Sequence, residues 1–219
     1  MNTPRPTTLR QPRLIISQTT ESLSSISQVI ARGGVIAFRT DTLYGLGADP
    51  FNRQAVQKLK QLKGREGQKP ILIIVSDRAA VSRYIAAPTS HFELLAKTFW
   101  PGSLTLIGNA SPDVLDDITA GTQTVGVRLP VDEDVRALVE ACGGALTGTS
   151  ANPAGEKPAE TAQQAFAYFG ESIDLVIDGG KTTSGQPSTV VDVSNADPLL
   201  IREGTIAWSE IQATIRRFK

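Results

Sequence analysis

The chain is poor in the residues that build metal clusters, disulfides and histidine-based active sites. Its 219 residues include one cysteine, Cys142, and one histidine, His91. A single cysteine excludes an internal disulfide and a cysteine-based metal cluster, and it fits a reducing compartment, so we expect a cytoplasmic protein. A triad of serine, histidine and aspartate would have to use His91, and no G-x-S-x-G motif accompanies it.

The usual nucleotide-binding and zinc-protease signatures are absent as well. No G-x-x-x-x-G-K-[ST] motif occurs, which excludes a P-loop enzyme, and no H-E-x-x-H motif occurs. The stretch at 45–49 lacks the third glycine of a dinucleotide-binding fingerprint. What remains for chemistry is a set of polar clusters at the ends of predicted strands.

Charge and hydropathy exclude two classes of partner. Lysine and arginine total 22, as do aspartate and glutamate, so no net charge draws the whole chain to nucleic acid. No apolar run approaches the length needed to cross a bilayer, so we expect no membrane partner. Prolines break any helix in the arginine-bearing N-terminus, so we expect residues 1–12 to be a flexible tail and residues 13–219 to be a single domain.

The apolar residues alternate between helical and strand patterns along the chain. Helical spacing predicts helices at about 23–30, 53–63, 90–98, 132–142, 161–169 and 209–217. Short apolar runs predict strands at about 13–17, 35–38, 71–75, 103–108, 125–128, 145–149, 174–178, 189–193 and 199–202. This interleaving predicts an α/β (α+β) fold in which helices flank a mixed sheet.

Several local features accompany this pattern. Ser22, Asn52 and Asp77 are predicted helix caps. The segment at 39–47 is predicted to be a loop because it is too polar and glycine-rich for the core. Cys142 falls at the end of an apolar helical pattern, so we expect an inert core thiol.

Two separated polar motifs are the most informative part of the sequence. The first runs from Lys63 to Pro70 and carries three cations, Lys63, Arg65 and Lys69, around two glycines. Three cations in one turn would repel one another without an anion, which favours a phosphate-binding role over a plain turn. The second motif, Ser150-Ala151-Asn152, suits neutral hydrogen bonding to a small polar ligand, but the residues alone favour a helix cap or an Asx turn.

Other polar residues also fall at predicted strand ends. Arg128 follows the apolar run that starts at Val125, and it could be either a buried ion-pair partner or a ligand contact. A site rich in arginine, lysine and threonine, without histidine, suits phosphoryl or nucleotidyl transfer. Such reactions depend more on positioning and charge neutralisation than on proton shuttling.

Six segments, taken in order, resemble the YrdC-type threonylcarbamoyl-AMP synthase family. They are Thr40-Asp41-Thr42-Leu43-Tyr44-Gly45-Leu46, Lys63-Gly64-Arg65, Pro101-Gly102-Ser103-Leu104-Thr105, Val125-Gly126-Val127-Arg128-Leu129-Pro130, Ser150-Ala151-Asn152 and Ser188-Thr189-Val190-Val191-Asp192. The resemblance implies a twisted mixed sheet, flanked by helices, around a large cationic cavity. The chain ends soon after Arg202, so we expect the single-domain form, without the additional C-terminal domain of longer relatives.

The resemblance also implies a reaction. L-threonine and bicarbonate or carbon dioxide would give a carbamate, which attacks the α-phosphate of ATP and releases pyrophosphate. Mg²⁺ would be carried on the ATP phosphates, with no dedicated protein metal site. The product, threonylcarbamoyl-AMP, would pass to a separate transferase complex that modifies tRNA.

Residue roles follow from the same resemblance, motif by motif. The implied threonine contacts are Thr42, Arg128, Ser150 and Ser188. The implied ATP contacts are Lys63, Arg65, Lys69, Thr124, Asn152 and Arg202. Lys63 and Arg65 would be catalytic and face the cavity, and Arg128 would pair the threonine carboxylate in bidentate fashion.

The chain departs from the family pattern in ways that keep alternatives open. Many members have proline where this chain has Glu66 and Glu203, and many have a threonine-contacting histidine where this chain has Ile74. One alternative is a paralogue that activates another amine. Another is a non-catalytic module that binds tRNA or double-stranded RNA weakly, although the neutral net charge argues against it.

Overall fold

The computed structural model describes residues 15–64, 69–182 and 184–218. The strands are β1 (Ile15–Ser17), β2 (Ile36–Arg39), β3 (Tyr44–Gly47), β4 (Ile73–Val75), β5 (Leu104–Asn109), β6 (Thr124–Arg128), β7 (Ala145–Thr147), β8 (Thr149–Ser150), β9 (Leu175–Asp178), β10 (Thr189–Asp192) and β11 (Leu199–Arg202). The helices are α1 (Leu23–Ala31), α2 (Arg53–Leu62), α3 (Ser90–Phe99), α4 (Asp116–Thr119), α5 (Glu133–Ala141), α6 (Ala162–Phe169) and α7 (Trp208–Phe218). None of these described helices is long and apolar enough to span a membrane.

The strands form two mixed sheets, which confirms the α/β class and divides the expected sheet in two. The first sheet has five strands in the order β1-β9-β2-β3-β8, and the second has six in the order β11-β10-β5-β6-β4-β7. Both contain parallel and antiparallel pairs. Most helices lie close to their predicted ranges. A strong apolar face identifies a helix, but it does not determine the residues at which the helix begins and ends. The short helix α4 carries no such face, and the sequence pattern missed it.

The predicted strand at 145–149 is two strands, one in each sheet, with a break at Gly148. A Cβ atom at this glycine would lie 2.7 Å from side-chain atoms of both Leu72 and Ile74, so the chain can cross between the sheets only without a side chain here. Thr147 stabilises the passage of the chain between the two sheets through two hydrogen bonds to Ala48. Its amide donates to the Ala48 carbonyl at 2.9 Å, and its hydroxyl accepts from the Ala48 amide at 2.9 Å.

The prediction of a loop over 39–47 is wrong, because the segment is buried and its second half is β3. The glycines there serve packing rather than flexibility. A Cβ atom on Gly47 would lie 2.7 Å from a ring carbon of Phe38 on the neighbouring strand, and one on Gly45 would lie 3.4 Å from the Thr149 carbonyl oxygen. Glycine in a strand often marks such a close approach, and composition alone does not distinguish it from a loop.

The predicted helix caps have different outcomes. Asn52 caps α2, because its side-chain oxygen accepts from the Ala55 amide at 3.1 Å. Ser22 occupies the predicted N-cap position of α1, but its hydroxyl donates to the Thr19 carbonyl and makes no cap bond to the helix. Asp77 accepts from the Ala80 amide at 2.8 Å, but it begins a short 3₁₀ turn rather than an α-helix.

Cys142 follows α5 and packs against the buried cluster between that helix and the sheets. Burial raises the pKa of its thiol to about 12. Such a thiol carries almost no thiolate at neutral pH, which agrees with the expected inert role.

The joint between the sheets gives a test of the fold. We expect Thr147→Val, which keeps the shape of the side chain, to lower the free energy of unfolding by about 1–3 kcal/mol, because the buried Ala48 amide loses its acceptor. Denaturant titration measures this change.

Thr98→Val is the matched control. The Thr98 hydroxyl bonds to the carbonyl of Leu94 on the exposed face of α3. We expect the control to change the free energy of unfolding by no more than about 0.5 kcal/mol. Equal effects of the two variants would contradict the structural role of Thr147.

Candidate active site

A cavity of about 310 Å³ lies between the two sheets. The first sheet contributes the turn before β3, the start of β3, and β8. The second contributes strands β4, β5, β6, β10 and β11. Its lining residues among the described part are Thr40, Thr42, Leu43, Tyr44, Gly45, Pro70, Ile71, Leu72, Ile74, Thr105, Ile107, Gly126, Arg128, Gly148, Thr149, Ser150, Pro187, Ser188, Val190, Ile201 and Arg202. None of these residues is an aspartate or a glutamate.

One row of side chains crosses the second sheet on the face that borders the cavity. Strand pairing puts Ile74 beside Arg128, Thr105 beside Val190, and Val190 beside Arg202. The β5–β6 register, in which Leu106 faces Val127, also puts Thr105 beside Arg128. The two arginines are therefore three strand spacings apart, roughly 14 Å between their backbones. The row gives the cavity a cation toward each end.

Arg128 is held by the turn that follows β2 and by the segment that precedes β5. Its Nη2 atom donates to Oδ2 of Asp41 at 2.6 Å, and Nη1 donates to the Thr42 hydroxyl at 2.7 Å. Its Nε atom donates to the Gly102 carbonyl at 3.1 Å, and Nη2 also lies 3.3 Å from the Ser103 hydroxyl. Arg128 and Asp41 are 3% and 5% exposed, so this ion pair is buried.

The structure confirms one of the two interpretations of Arg128 that the sequence left open, the buried ion pair, and the position of Arg128 on the cavity wall is compatible with the other, a ligand contact. Burial lowers the pKa of Arg128, and the charge of Asp41 opposes that shift. Four of its five N–H donors already have protein acceptors. Bidentate pairing with a ligand carboxylate would therefore require one of these contacts to change.

The turn before β3 is organised by the side chain of Thr40. Its hydroxyl accepts from the amides of Thr42 and Leu43, each at 3.2 Å, and donates to the Leu43 carbonyl at 2.7 Å. It also lies 3.0 Å from the Thr42 hydroxyl. These bonds fix Thr42 at the cavity wall and Asp41 against Arg128.

Arg202 and Ser188 form the other end of the row. Arg202 donates from Nε and Nη2 to the Ser188 carbonyl at 3.2 and 2.9 Å, and the Ser188 hydroxyl lies 2.9 Å from that of Thr105. Burial lowers the pKa of Arg202. Within the described ranges it makes no ion pair with a carboxylate, whereas Arg128 does. Arg202 is therefore the cavity cation better suited to receive an anionic ligand.

Lys63 joins the two motifs that the sequence keeps apart. It caps the C-terminus of α2, and its Nζ atom donates to the carbonyls of Ser150 and Asn152 and to the Asn152 side-chain oxygen at 3.1 Å. We expected Lys63 to face the cavity, but it is 2% exposed and is not among the described residues that line the cavity. A lysine ammonium has three donors, and these contacts use all three.

The Ser150-Ala151-Asn152 motif forms the local turn that the sequence left as an option. The Ser150 hydroxyl donates to Oδ1 of Asn152 at 2.6 Å. The Asn152 amide group donates to the carbonyls of Pro153 and Glu156 at 3.0 and 2.6 Å. Ser150 lines the cavity, while Asn152 is buried behind it and holds the following loop.

The predicted contacts thus separate into two groups. All four predicted threonine contacts (Thr42, Arg128, Ser150 and Ser188) line the cavity, as does Arg202 from the predicted ATP set. Lys69 is exposed outside it, and Thr124 bonds to the hydroxyl of Thr122 at 3.0 Å at the start of β6. Arg65 and Glu66 lie outside the described residues.

Sequence reasoning assigned no role to Ser103 or Thr105, although both occur in a quoted motif. Ser103 contacts the Arg128–Asp41 pair, and Thr105 stands in the cavity row beside Arg128. The alternation along β5 puts Thr105 on the same face as Ile107, which would have been a usable signal. The contact of Ser103 depends on how two distant segments meet, so no local pattern carries it.

Comparison with known proteins supplies a family. The sequence profile of the Sua5/YciO/YrdC family, described as "Telomere recombination", matches residues 28–204. The chain is 36% identical over 186 residues to the threonylcarbamoyl-AMP synthase of Pyrococcus abyssi, covering 85% of this chain and 55% of that protein. It is also 36% identical over 166 residues to the enzyme of the same name from Idiomarina loihiensis, covering 74% of this chain and 88% of that one.

Solved structures agree with the sequence comparison. The structure of P. abyssi Sua5 complexed with L-threonine matches with a TM-score of 0.86 and 34% identity, covering 91% of this chain and 58% of that chain. The present chain thus spans little more than half the length of the P. abyssi protein.

The contacts of Lys63 generate a test of its structural role. We expect Lys63→Ala to lower the free energy of unfolding by about 1–3 kcal/mol, because buried carbonyl groups lose their donor. Denaturant titration with a fluorescence readout measures it.

Lys97→Ala, an exposed lysine in the last turn of α3, is the control and should change the unfolding free energy by less than about 0.5 kcal/mol. A Lys63→Ala protein as stable as this control would show that the links to Ser150 and Asn152 do not support the fold.

Proposed function

Because this chain belongs to the Sua5/YciO/YrdC family, we propose that it makes threonylcarbamoyl-AMP from L-threonine, bicarbonate or carbon dioxide, and ATP, with release of pyrophosphate. The observation that carries the proposal is the row across the second sheet, with Arg128 toward one end of the cavity and Arg202 toward the other. An amino acid and a nucleoside triphosphate each present an anionic group. Two cations on one wall can hold two such ligands side by side.

The amino acid belongs at the Arg128 end in this proposal. Thr42 and Ser150 add hydroxyl groups to the same cavity. The Ser188 hydroxyl approaches from the Arg202 side, where it lies 2.9 Å from the hydroxyl of Thr105 beside Arg128. Hydroxyls can meet both the amino and the hydroxyl group of threonine. The cavity wall beside Arg128 is apolar at Ile74, which suits the methyl group of the substrate.

The triphosphate belongs at the Arg202 end. Arg202 lacks a carboxylate partner within the described ranges, so a phosphate would gain its full charge. We propose that Lys63, Arg65 and Lys69 complete the phosphate contacts and that Thr124 and Asn152 contact the nucleotide. Lys63 would have to exchange one carbonyl acceptor for a phosphate oxygen to do so.

The chemistry requires positioning more than proton transfer. The carbamate oxygen forms a bond to the α-phosphorus while the bond to the pyrophosphate oxygen breaks. The chain's contribution is to hold the two reacting groups together and to neutralise charge on the phosphates. A cavity of about 310 Å³ lies at the small end of the range for ligand pockets, so its walls can fix an amino acid closely.

Mg²⁺ fits this proposal as a companion of ATP. No group of three or more His, Cys, Asp or Glu side chains that could hold a metal occurs within residues 15–64, 69–182 and 184–218. Magnesium commonly binds substrate phosphates with few protein ligands, and there it would offset phosphate charge. The product would then pass to a separate transferase complex that modifies tRNA.

Threonine-dependent pyrophosphate release tests the proposed function. The protein is incubated with ATP, Mg²⁺ and bicarbonate, with and without L-threonine, and pyrophosphate is measured by a coupled phosphate assay. We expect release that requires both threonine and bicarbonate. Arg202→Gln should reduce kcat/KM for ATP by about tenfold or more, because a charge-assisted contact to phosphate is lost.

Folded protein that releases no pyrophosphate above background would contradict the proposal. In that case a salt titration of tRNA binding tests the RNA-binding alternative, for which affinity must fall steeply with ionic strength. Pyrophosphate release that prefers serine or another amine to threonine would instead identify a paralogue with a different substrate.

A further inference from the structure

Two residues outside the cavity wall contact the Arg128 guanidinium from behind. Asp41 and Ser103 do not line the cavity, whereas Arg128 does. The Ser103 hydroxyl lies 3.3 Å from Oδ2 of Asp41 and 3.3 Å from Nη2 of Arg128, so it touches both members of the buried ion pair. This three-membered contact joins the turn after β2, the segment before β5 and the end of β6.

We propose that Ser103 and Asp41 are positioning residues that fix the Arg128 guanidinium for the carboxylate of the amino-acid substrate. This inference rests on the proposed function and deepens it. Neither residue needs to touch the substrate. Their role is to decide the plane of the guanidinium and which of its donors remain for a ligand.

The division of donors supports this role. Asp41 and Ser103 both take their bonds from Nη2, the Gly102 carbonyl takes Nε, and Thr42 takes one hydrogen of Nη1. Among the described residues, one Nη1 donor has no protein acceptor and is left for a ligand, next to the hydroxyl of Thr42. The substrate carboxylate would therefore receive one bond from Arg128 and a second from a neighbouring hydroxyl, unless Arg128 releases one of its protein acceptors.

The charge balance supports it as well. A buried arginine without a counter-charge is costly, and Asp41 supplies that charge at 2.6 Å. Ser103 donates to the carboxylate, which restrains it without adding charge. Free rotation of the guanidinium would weaken binding of the amino acid at Arg128. It would not change phosphate binding at the other end of the row.

Ser103→Ala is the sharpest test, because it removes one hydroxyl and leaves the ion pair in place. We expect KM for L-threonine to rise by about fivefold, the factor that matches one neutral hydrogen bond. We expect kcat and KM for ATP to stay within about twofold, since this contact acts on the amino-acid end only. Ser103→Thr keeps the hydroxyl and should restore KM for threonine to near the wild-type value.

Asp41→Asn keeps the shape and an acceptor oxygen but removes the counter-charge, and we expect a larger rise in KM for threonine, about tenfold or more. Ser82→Ala is the matched control, because the Ser82 hydroxyl bonds to the Ala79 carbonyl in an exposed turn. It should leave all kinetic constants unchanged. Thermal unfolding of each variant separates lost binding from lost folding.

The outcomes distinguish the two levels of the proposal. Wild-type protein that neither releases pyrophosphate nor binds L-threonine by calorimetry overturns both the function and the positioning role. If the wild-type protein turns over and the folded Ser103→Ala variant has an unchanged KM for threonine, the positioning role alone is overturned. A fall in kcat with no change in KM, or failure of Ser103→Thr to restore KM, also overturns it.

Discussion

The buried ion pair between Arg128 and Asp41 is the contact on which the site depends. It ties the turn of the first sheet to β6 of the second, and both partners are almost fully removed from solvent. A buried pair of this kind adds little net stability, but the loss of either partner leaves a charge without compensation. The pair therefore acts as a constraint that fixes how the two sheets face each other across the cavity.

Much of the fold could be predicted from periodicity, because amphipathic helices and short apolar strands leave clear patterns. Local chemistry also predicted the Asn52 cap, which the structure confirms. The errors arose where a residue type has two physical uses. Gly45 and Gly47 looked like loop glycines, but they lie in a buried strand against Phe38 and Thr149. Gly148 ends one strand and allows the crossing to the other sheet, which a one-dimensional pattern cannot reveal.

The sequence predicted which residues line the cavity better than it predicted how they are arranged. Thr42, Arg128, Ser150 and Ser188 all line one cavity, as the motif resemblance implied. The sequence did not reveal that Lys63 binds the carbonyls of the second motif, or that Ser103 braces the ion pair. These contacts join segments 87 and 25 residues apart, so they depend on tertiary structure that no local pattern encodes.

We propose that Arg128, held by its buried partner, recognises the carboxylate of an amino-acid substrate. Isothermal titration of L-threonine and of L-threonine methyl ester tests this most directly, because the ester keeps the side chain and the amino group but has no carboxylate charge. We expect L-threonine to bind at least about tenfold more tightly than the ester, because the ester loses a charge-assisted hydrogen bond. Equal affinity for the two ligands would contradict it.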